Sequence, residues 1–178
     1  MPVGHGPLVV AVLGVLLLLW AVGAWRRIRR LRLHACRAFV ALDRVLSEQH
    51  RWIAQWCAQS HTNAGAPLPA ASMQRLEASA VQAALMLRRV RDDPLDAAAM
   101  NGLHQARLTL RAVWLGAASP AGLPADWLRR LHQEAPLATA FNERVAAYNA
   151  AVSQFPVLLL ATVLRHRKAR VLQAVELI

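Results

Sequence analysis

The sequence predicts an all-α protein. We expect an N-terminal transmembrane helix, continuous with a long helix of an up-down four-helix bundle, and a short C-terminal helix. Residues 8–25 form an uncharged apolar run, and the later segments carry apolar residues at alternating spacings of three and four. Glycine is scarce, with 8 among 178 residues, and Ala, Leu and Arg favour helices. We therefore divide the chain into a short non-cytoplasmic N-terminus (1–7), a membrane span (8–25) and a cytoplasmic bundle (26–178).

The apolar run LVVAVLGVLLLLWAVGAW explains the first element. As a helix it is about 27 Å long, close to the roughly 30 Å thickness of the bilayer core. Trp20 and Trp25 lie toward its end, where indole rings favour the membrane interface. A cleaved signal peptide would need positive charge before a shorter apolar core, and the leading MPVGHGP has no Lys or Arg. We therefore expect a permanent anchor.

Positive charge follows the span immediately and predicts its direction. The five cations that flank the membrane are Arg26, Arg27, Arg29, Arg30 and Arg32. Because arginine-rich flanks stay in the cytoplasm, we expect a single-pass inner-membrane protein with its N-terminus outside. The same arginines can contact anionic lipid headgroups. The two cysteines, Cys36 and Cys57, lie too far apart on one helix to pair, which suits a reducing compartment.

The net charge of +11 raises the possibility of nucleic-acid binding. The five arginines after the span and a second cluster, Arg165, Arg167, Lys168 and Arg170, account for nine of these charges. The excess is therefore confined to two short patches, and we do not predict nucleic-acid binding. No sequence motif for a nucleophile, a phosphate loop or a zinc site is present, and the seven histidines are dispersed. We therefore predict no catalytic site, metal or cofactor.

Four amphipathic segments predict the helices of the bundle, some with coiled-coil-like spacing. The first continues from the span to about Ser60, the second starts near Ser72 as N-cap, the third follows Asp92, Asp93 and Pro94, and the fourth starts with Asp126 as cap and contains Pro136. The predicted core stripes are Ala35, Phe39, Leu42, Leu46, Ile53 and Trp56; Met73, Leu76, Ala80, Ala83, Leu87 and Val90; Leu103, Ala106, Leu110, Val113 and Ala117; and Trp127, Leu131, Ala138, Phe141, Val145, Tyr148, Val152 and Phe155.

The end of the fourth stripe, FNERVAAYNAAVSQFP, contains a repeated aromatic-Asn pair and a Phe-Pro pair. These are Phe141-Asn142, Tyr148-Asn149 and Phe155-Pro156. The segment resembles the C-terminal signature of the LemA family, and LDRVLSEQHRWIAQWC, with Asp43 at the family's Asp, resembles an earlier segment of it. Glu48, Gln49 and Ala54 depart from the family pattern, so the chain resembles a divergent member. The resemblance implies architecture and membrane placement and leaves the reaction, if any, open.

Asn142 and Asn149 are the most informative polar residues, because they lie seven apart on one helix face. One interpretation is that they form interhelical hydrogen bonds that set the register, and the other is that they bind a ligand or partner. We predict a non-enzymatic scaffold or interaction module at the inner face of the membrane, with an unidentified protein partner. The alternative is a membrane-tethered enzyme with an atypical inter-helix site.

The C-terminal stretch after Pro156 combines VLLLATVL with RHRKAR. An apolar patch beside a cationic patch is typical of a helix at a lipid surface. In an up-down bundle the fourth helix returns to the membrane, so residues 157–178 would lie near Arg26–Arg32. The alternative is a short helix whose leucines pack onto the bundle.

Overall fold

The computed structural model describes residues 5–62, 68–117, 125–154 and 168–172. Within these ranges the chain forms four α-helices and no strand, in agreement with the predicted all-α class. The helices are α1 (His5–Thr62), α2 (Ala70–Asp92), α3 (Ala97–Ala117) and α4 (Ala125–Ser153).

Helix α1 has 58 residues and is therefore about 87 Å long. Its N-terminal part contains an 18-residue window with a mean hydropathy of 2.6, none of which is buried. By length and composition this helix can cross a membrane. The helix continues without a break into the part that packs against the other helices, as the sequence predicts.

The helix starts differ from two of the predicted caps. Helix α2 begins at Ala70 after Pro69, and no side chain caps it. Ser72 lies inside the first turn, where its N–H donates to the carbonyl oxygen of Pro69 at 2.9 Å. Helix α4 begins at Ala125, so Asp126 lies within the first turn, where an acidic side chain interacts favourably with the helix dipole. The predicted caps at Ser72 and Asp126 are therefore wrong.

The connection between α2 and α3 is stabilised by two aspartates. The Asp93 carboxylate accepts a hydrogen bond from the N–H of Leu95 at 3.1 Å, and the Asp96 carboxylate accepts one from the N–H of Ala98 at 3.0 Å. Asp96 therefore caps the otherwise unpaired first turn of α3. Pro136, by contrast, does not interrupt α4, which is helical on both sides of it.

Two apolar clusters form the core. The proximal cluster is nearer the apolar part of α1, and the distal cluster lies farther from it. The proximal cluster contains Ile28, Ala35, Phe39, Leu42 and Leu46 of α1, Leu87 and Val90 of α2, Ala99, Met100 and Leu103 of α3, Ala138, Phe141, Val145, Tyr148 and Val152 of α4, and Leu95, Ala169 and Leu172. The distal cluster contains Ile53 and Cys57, Met73, Leu76, Ala80 and Ala83, Ala106, Leu110 and Trp114, and Trp127.

The predicted stripes account for most of this core. Trp56, Val113 and Leu131 are only partly buried, and they border the distal cluster. Trp114, one position after the predicted Val113, is buried in place of that valine. Phe155 and the side chain of Ala117 lie outside the described residues.

The helices are not equally close to one another. Helix α1 packs against α4 and α2, and α2 packs against α3. In the described parts of α3 and α4, no two Cα atoms lie within 8 Å of each other. Long side chains cross between them at the distal end, where the Trp114 and Trp127 rings stack with centroids 5.2 Å apart.

Residues 168–172 are the described part of the C-terminal segment, and they are not helical. The predicted short C-terminal helix is therefore not confirmed for these residues. Ala169 and Leu172 belong to the proximal cluster, so this portion packs onto the bundle. Pro156 and residues 157–167 lie outside the described residues.

Candidate functional site

Asn142 and Asn149 bind the main chain of residues 168–172, and we call this arrangement the asparagine clamp. The Asn142 amide donates to the carbonyl oxygen of Leu172 at 2.7 Å and accepts from the N–H of Leu172 at 2.8 Å. The Asn149 amide forms the same two bonds with Ala169, both at 2.8 Å. Each side-chain amide thus pairs with the donor and the acceptor of one backbone residue. This differs from the predicted interhelical hydrogen bonds, because the bound segment is not a helix.

The spacing of the two asparagines matches that of the residues they bind. Seven residues of α-helix rise about 10.5 Å, and three residues of chain reach at most about 10–11 Å when fully extended. Residues 169–172 must therefore be close to extended to meet both amides. Residues that face the same way recur every three positions in a polyproline II helix and every two in a β-strand. The clamp thus binds two residues three positions apart, a spacing that fits a polyproline II-like chain better than a β-strand.

Side chains at the two bound positions are buried, and those around them are exposed. Leu172 is 0% exposed and Ala169 is 7% exposed, both in the proximal cluster. Lys168, Arg170 and Val171 are exposed. The clamp therefore contacts the backbone and side chain at the first and fourth positions and leaves the two intervening side chains at the surface.

The free energy of holding this segment is close to balance. Four hydrogen bonds contribute about 1 kcal/mol each, and burial of Leu172 and the Ala169 methyl adds about 3 kcal/mol. Ordering the backbone of five residues costs about 1–2 kcal/mol per residue, or about 7 kcal/mol. The hydrogen bonds and the buried apolar side chains therefore offset the cost of ordering the segment about evenly.

The aromatic residues of the predicted motif position α4 and do not contact the clamped backbone. Phe141 is fully buried and meets Phe39 of α1 edge to face, with ring centroids 5.7 Å apart. Tyr148 is also buried, which raises the pKa of its hydroxyl. In each aromatic-Asn pair, the aromatic side chain packs into the core and the next residue turns by about 100° toward the C-terminal segment. Phe155 and Pro156 lie outside the described residues.

Asp43, the residue matched in the earlier segment, pairs with α2. Both of its carboxylate oxygens accept from Nε of Arg91, at 2.8 and 2.9 Å, and Arg91 also donates to Ser47 at 2.6 Å. The Arg91 side chain is 43% exposed, so the pair fixes the position of α2 on α1 more than it adds stability.

A buried polar layer lies between the two apolar clusters, and sequence reasoning did not predict it. Arg107 of α3 forms a buried ion pair with Glu134 of α4. Gln49 of α1 donates to the same carboxylate at 3.2 Å and to the carbonyl oxygen of Arg130 at 3.1 Å. The sequence does contain an indication of this layer, because Glu134 interrupts the apolar stripe of α4 between Leu131 and Ala138.

Two histidines border this layer. Burial, and then the positive charge of Arg107, lowers the pKa of His50 to about 4. Burial is also the main cause that lowers the pKa of His104, followed by the charges of Arg107 and Arg170. Nδ1 of each histidine and Nη1 of Arg107 have no hydrogen-bond partner among the described residues. The ion pair is therefore the charged part of this layer, because burial favours the neutral form of both imidazoles.

Two buried side chains locate the clamped segment in the fold. Ala169 and Leu172 belong to the proximal cluster, together with Leu103 of α3 and Phe141 of α4. Ala169 and Leu172 are thus the functional residues that the sequence analysis missed. The feature of the sequence that could have indicated an extended bound segment is the separation of seven residues between Asn142 and Asn149.

The residues predicted to flank the membrane lie at the end of the apolar run. Trp20 is 40% and Trp25 is 39% exposed, and the guanidinium of Arg29 lies over the Trp25 ring, 5.5 Å from its centroid. Arg26, Arg27 and Arg30 are also exposed. Arg32 differs from these, because it pairs with Asp93 of the α2–α3 connection at 3.1 Å.

No group of three His, Cys, Asp or Glu side chains in the described ranges could hold a metal ion. A groove of about 410 Å³ between α1 and α2 is lined by Ser47, His50, Arg51, Ala54, Glu77, Ala80, Val81, Ala84, Leu87, Arg88 and Arg91. Several titratable side chains line this groove, among them His50 and Glu77.

No family model matches the chain, and neither a curated protein nor a solved structure matches it. The resemblance to the LemA family therefore remains a prediction that rests on the motif residues of α1 and α4.

Proposed function

We propose that this protein is a divergent LemA-type helical bundle, anchored in the inner membrane, that acts as a non-enzymatic scaffold or protein-interaction module. The asparagine clamp is the observation that carries the proposal. It holds an extended polypeptide through backbone hydrogen bonds at two positions. A site of this kind binds polypeptide segments with only partial dependence on their sequence.

The membrane placement has separate support. The apolar part of α1 is exposed along its length, and the indole rings and arginines follow in the order expected for a membrane interface. The five arginines after the span favour a cytoplasmic bundle. Anionic lipid headgroups would contact the arginines that remain exposed.

The up-down order of the helices is supported by the two clusters. Helix α2 contributes its first buried residues to the distal cluster and its last to the proximal one, and α3 does the reverse. Helix α4 starts with Trp127 in the distal cluster and reaches the proximal cluster by Val152. Ala151 also borders a cavity with Trp20 and Arg27. These contacts favour a membrane-proximal end of α4, where Pro156 would follow.

The second candidate function, a membrane-tethered enzyme, would use the groove between α1 and α2. His50 borders this groove near Ser47, and a His close to a Ser is a common pair in nucleophilic catalysis. A pKa of about 4 makes His50 a weak general base near neutral pH. The groove thus favours an enzyme less than the clamp favours a polypeptide-binding module.

Site-specific photocrosslinking in native membranes tests the proposal. A photoreactive residue at the exposed position Ala150, beside Asn149, should form a discrete crosslink to another polypeptide. Asn142→Asp with Asn149→Asp should abolish the crosslink, because each change loses the donor and places a carboxylate against a carbonyl oxygen. Gln133→Ala, an exposed amide on the same helix, is the matched control. Crosslinks to lipid alone, or an equal yield from the clamp variants, would refute the proposed function.

A further inference from the structure

The groove between α1 and α2 is a cavity that neither the asparagine clamp nor the membrane span uses. Its volume of about 410 Å³ lies within the roughly 300–1,000 Å³ that is typical of small-molecule sites. Every described residue that lines it belongs to α1 or α2. Ala169 and Leu172 of the C-terminal segment pack in the proximal cluster instead, so no described part of the chain occupies the groove.

The middle of the groove is apolar. Its α2 side consists of Ala80, Val81, Ala84 and Leu87, and Ala54 lines the α1 side. Ala80 and Leu87 are buried, whereas Val81 is 54% exposed. The small alanine side chains leave space for the apolar body of a ligand, and covering the exposed apolar surface would favour its binding.

The charged side chains are distributed unequally along the groove. Glu77 lies at the end toward the distal cluster, about 16 Å along α2 from Arg88. Arg91 lines the opposite end, where the carboxylate of Asp43 offsets its charge. Arg51 of α1 and Arg88 of α2 also line the groove, and neither forms an ion pair within the described ranges. The groove thus contains two positive charges that lack a counter-ion there.

These two arginines are suited to binding an anion. Guanidinium groups on neighbouring helices repel each other, and an anion between them would relieve that repulsion. Arginine also forms charge-assisted hydrogen bonds with a carboxylate or a phosphate in a fixed geometry. His50 lines the groove as well, but burial lowers its pKa to about 4, so its ring is neutral near pH 7. The attraction for an anion therefore comes from Arg51 and Arg88.

The groove lies far from the lipid surface when α1 spans a membrane. Ser47, at its membrane-facing end, is about 33 Å along α1 beyond Trp25. The headgroup region of a bilayer is only about 5–7 Å deep on each side. A lipid that remains in the bilayer therefore cannot reach the groove, and its ligand has to come from the aqueous phase.

We propose that the groove between α1 and α2 binds a small organic anion that has an apolar body. Arg51 and Arg88 hold its carboxylate or phosphate group. The apolar body lies against Ala80, Val81 and Ala84. This goes beyond the proposed function, because it requires neither the asparagine clamp nor a protein partner.

The chain itself is a poor source of the anion. Glu176 is the one acidic residue outside the described ranges. It follows Leu172 by four residues, which reach at most about 14 Å when fully extended. Asn142 of α4 binds Leu172, and α4 does not contribute to the described lining of the groove. A separate molecule is therefore the occupant that the geometry favours.

Equilibrium dialysis of the full-length protein in nanodiscs of zwitterionic lipid tests the proposal. The probes are radiolabelled octanoate, octyl phosphate and octylamine, which share an apolar chain and differ in the charged group. Empty nanodiscs correct for partition into lipid. At least one of the two anions should bind saturably, with one molecule per protein, and the tighter one identifies the preferred group. Absence of saturable binding by both anions, or equally tight binding of octylamine, would overturn the proposal.

A pair of neighbouring arginines separates specific from general charge effects. Arg88→Gln should weaken binding of the tighter anion by about tenfold, because it removes a charge-assisted hydrogen bond. Arg89→Gln removes the same charge at an exposed position that does not line the groove. This control should leave the affinity within about twofold. Equal effects of the two variants would contradict a site at Arg88.

Filling the groove tests its apolar part. Ala84→Phe places a ring in the middle of the groove and should abolish saturable binding of both anions. Ala78→Phe adds the same ring at an exposed position outside the lining and should retain binding. Circular dichroism checks that both variants are folded. Binding retained by Ala84→Phe would place the anion elsewhere and refute the proposal. If this variant does not fold, the comparison of Arg88→Gln with Arg89→Gln decides alone.

Two further variants distinguish this inference from the alternatives. Glu176→Gln should leave the affinity for the anion within about twofold. Tightening by about tenfold would mean that the chain's own C-terminus fills the groove, which would overturn the proposal. The double variant Asn142→Asp with Asn149→Asp should bind the anion as the unaltered protein does. Failure of this inference can therefore be told apart from failure of the proposed function, which depends on the clamp.

Discussion

At the scale of single residues, each asparagine of the clamp directly follows a large aromatic residue in the sequence, and the two side chains of each pair contact different parts of the protein. Phe141 and Tyr148 fix α4 against the core, while Asn142 and Asn149 face the C-terminal segment. In each aromatic-Asn pair, the aromatic residue therefore packs into the core and the asparagine binds the C-terminal segment. Because Phe141 and Tyr148 lie seven residues apart in the apolar stripe, Asn142 and Asn149 have the same spacing.

Phe141→Ala should lower the free energy of unfolding by about 3–5 kcal/mol, because it leaves a cavity in the proximal cluster. Chemical denaturation of the full-length protein in detergent measures the change. Leu85→Ala is the control, since Leu85 is 51% exposed and should cost less than about 0.5 kcal/mol. A similarly small change for Phe141→Ala would mean that the α4 stripe does not form the core.

His50 should make stability depend on pH. Its pKa is about 4 in the folded protein and 6.5 in the unfolded chain, so the unfolded state binds more protons between these values. The contribution of neutral His50 is complete above pH 6.5 and is lost as the pH falls toward 4. Unfolding measured at about pH 7.5 and about pH 5 should differ by about 2 kcal/mol from this source. His50→Leu should remove this difference, whereas the exposed His34→Gln should retain it.

At the scale of the helices, the burial of a residue can be predicted from the sequence when it belongs to the periodic apolar stripe of its own helix. Leu42, Leu87 and Val145 follow the stripe of their helices, and all three are buried as predicted. Residue type predicts caps at Ser72 and Asp126, but both lie inside their helices, because a cap requires a backbone geometry that residue type does not determine. The buried pair of Arg107 and Glu134 depends on two helices meeting in one register, which no single stripe contains.

The α2–α3 connection provides a test of capping. Asp96→Ala should destabilise the protein by about 0.5–2 kcal/mol, because it removes the acceptor for the N–H of Ala98. Asp92→Ala, at the exposed end of α2, makes the same chemical change without a cap and should cost less than about 0.5 kcal/mol. Thermal or chemical unfolding of the two variants compares them directly, and equal costs would show that Asp96 does not cap α3.

At the scale of the whole molecule, the all-α class and the apolar N-terminal helix followed from composition and periodicity. The contacts between α3 and α4 did not, because they consist of stacked tryptophan rings and a buried ion pair. Ala169 and Leu172 of the non-helical segment pack in the same proximal cluster as residues of both helices. The C-terminal segment has no amphipathic period to indicate this role. The role of Ala169 and Leu172 is visible only in the structure, where Asn149 and Asn142 bind their backbone groups.

The orientation of the molecule is a prediction at this scale. A reporter fused after Ile178 should be active only in the cytoplasm, because the arginines follow the span and none precedes it. Replacing Arg26, Arg27, Arg29 and Arg30 by Asn should weaken this orientation, whereas replacing the exposed Arg88 and Arg89 of α2 should not affect it. Accessibility of the fused reporter from outside intact cells would reverse the placement.

Helix α1 has no break between its apolar part and the part that packs against the other helices. If the apolar part spans a bilayer, a tilt of the span therefore tilts the cytoplasmic part of α1 by the same angle. The part beyond Arg26 is about 55 Å long, so a tilt of about 10° moves its far end sideways by about 10 Å. Apolar spans tilt more as the bilayer thins, so the sideways displacement of the far end should grow from thick to thin bilayers, while its height above the lipid surface changes by only about 1 Å for a tilt of about 10°. The orientation of the tryptophan rings relative to the membrane normal should therefore depend on bilayer thickness, and polarised fluorescence in oriented bilayers would measure it.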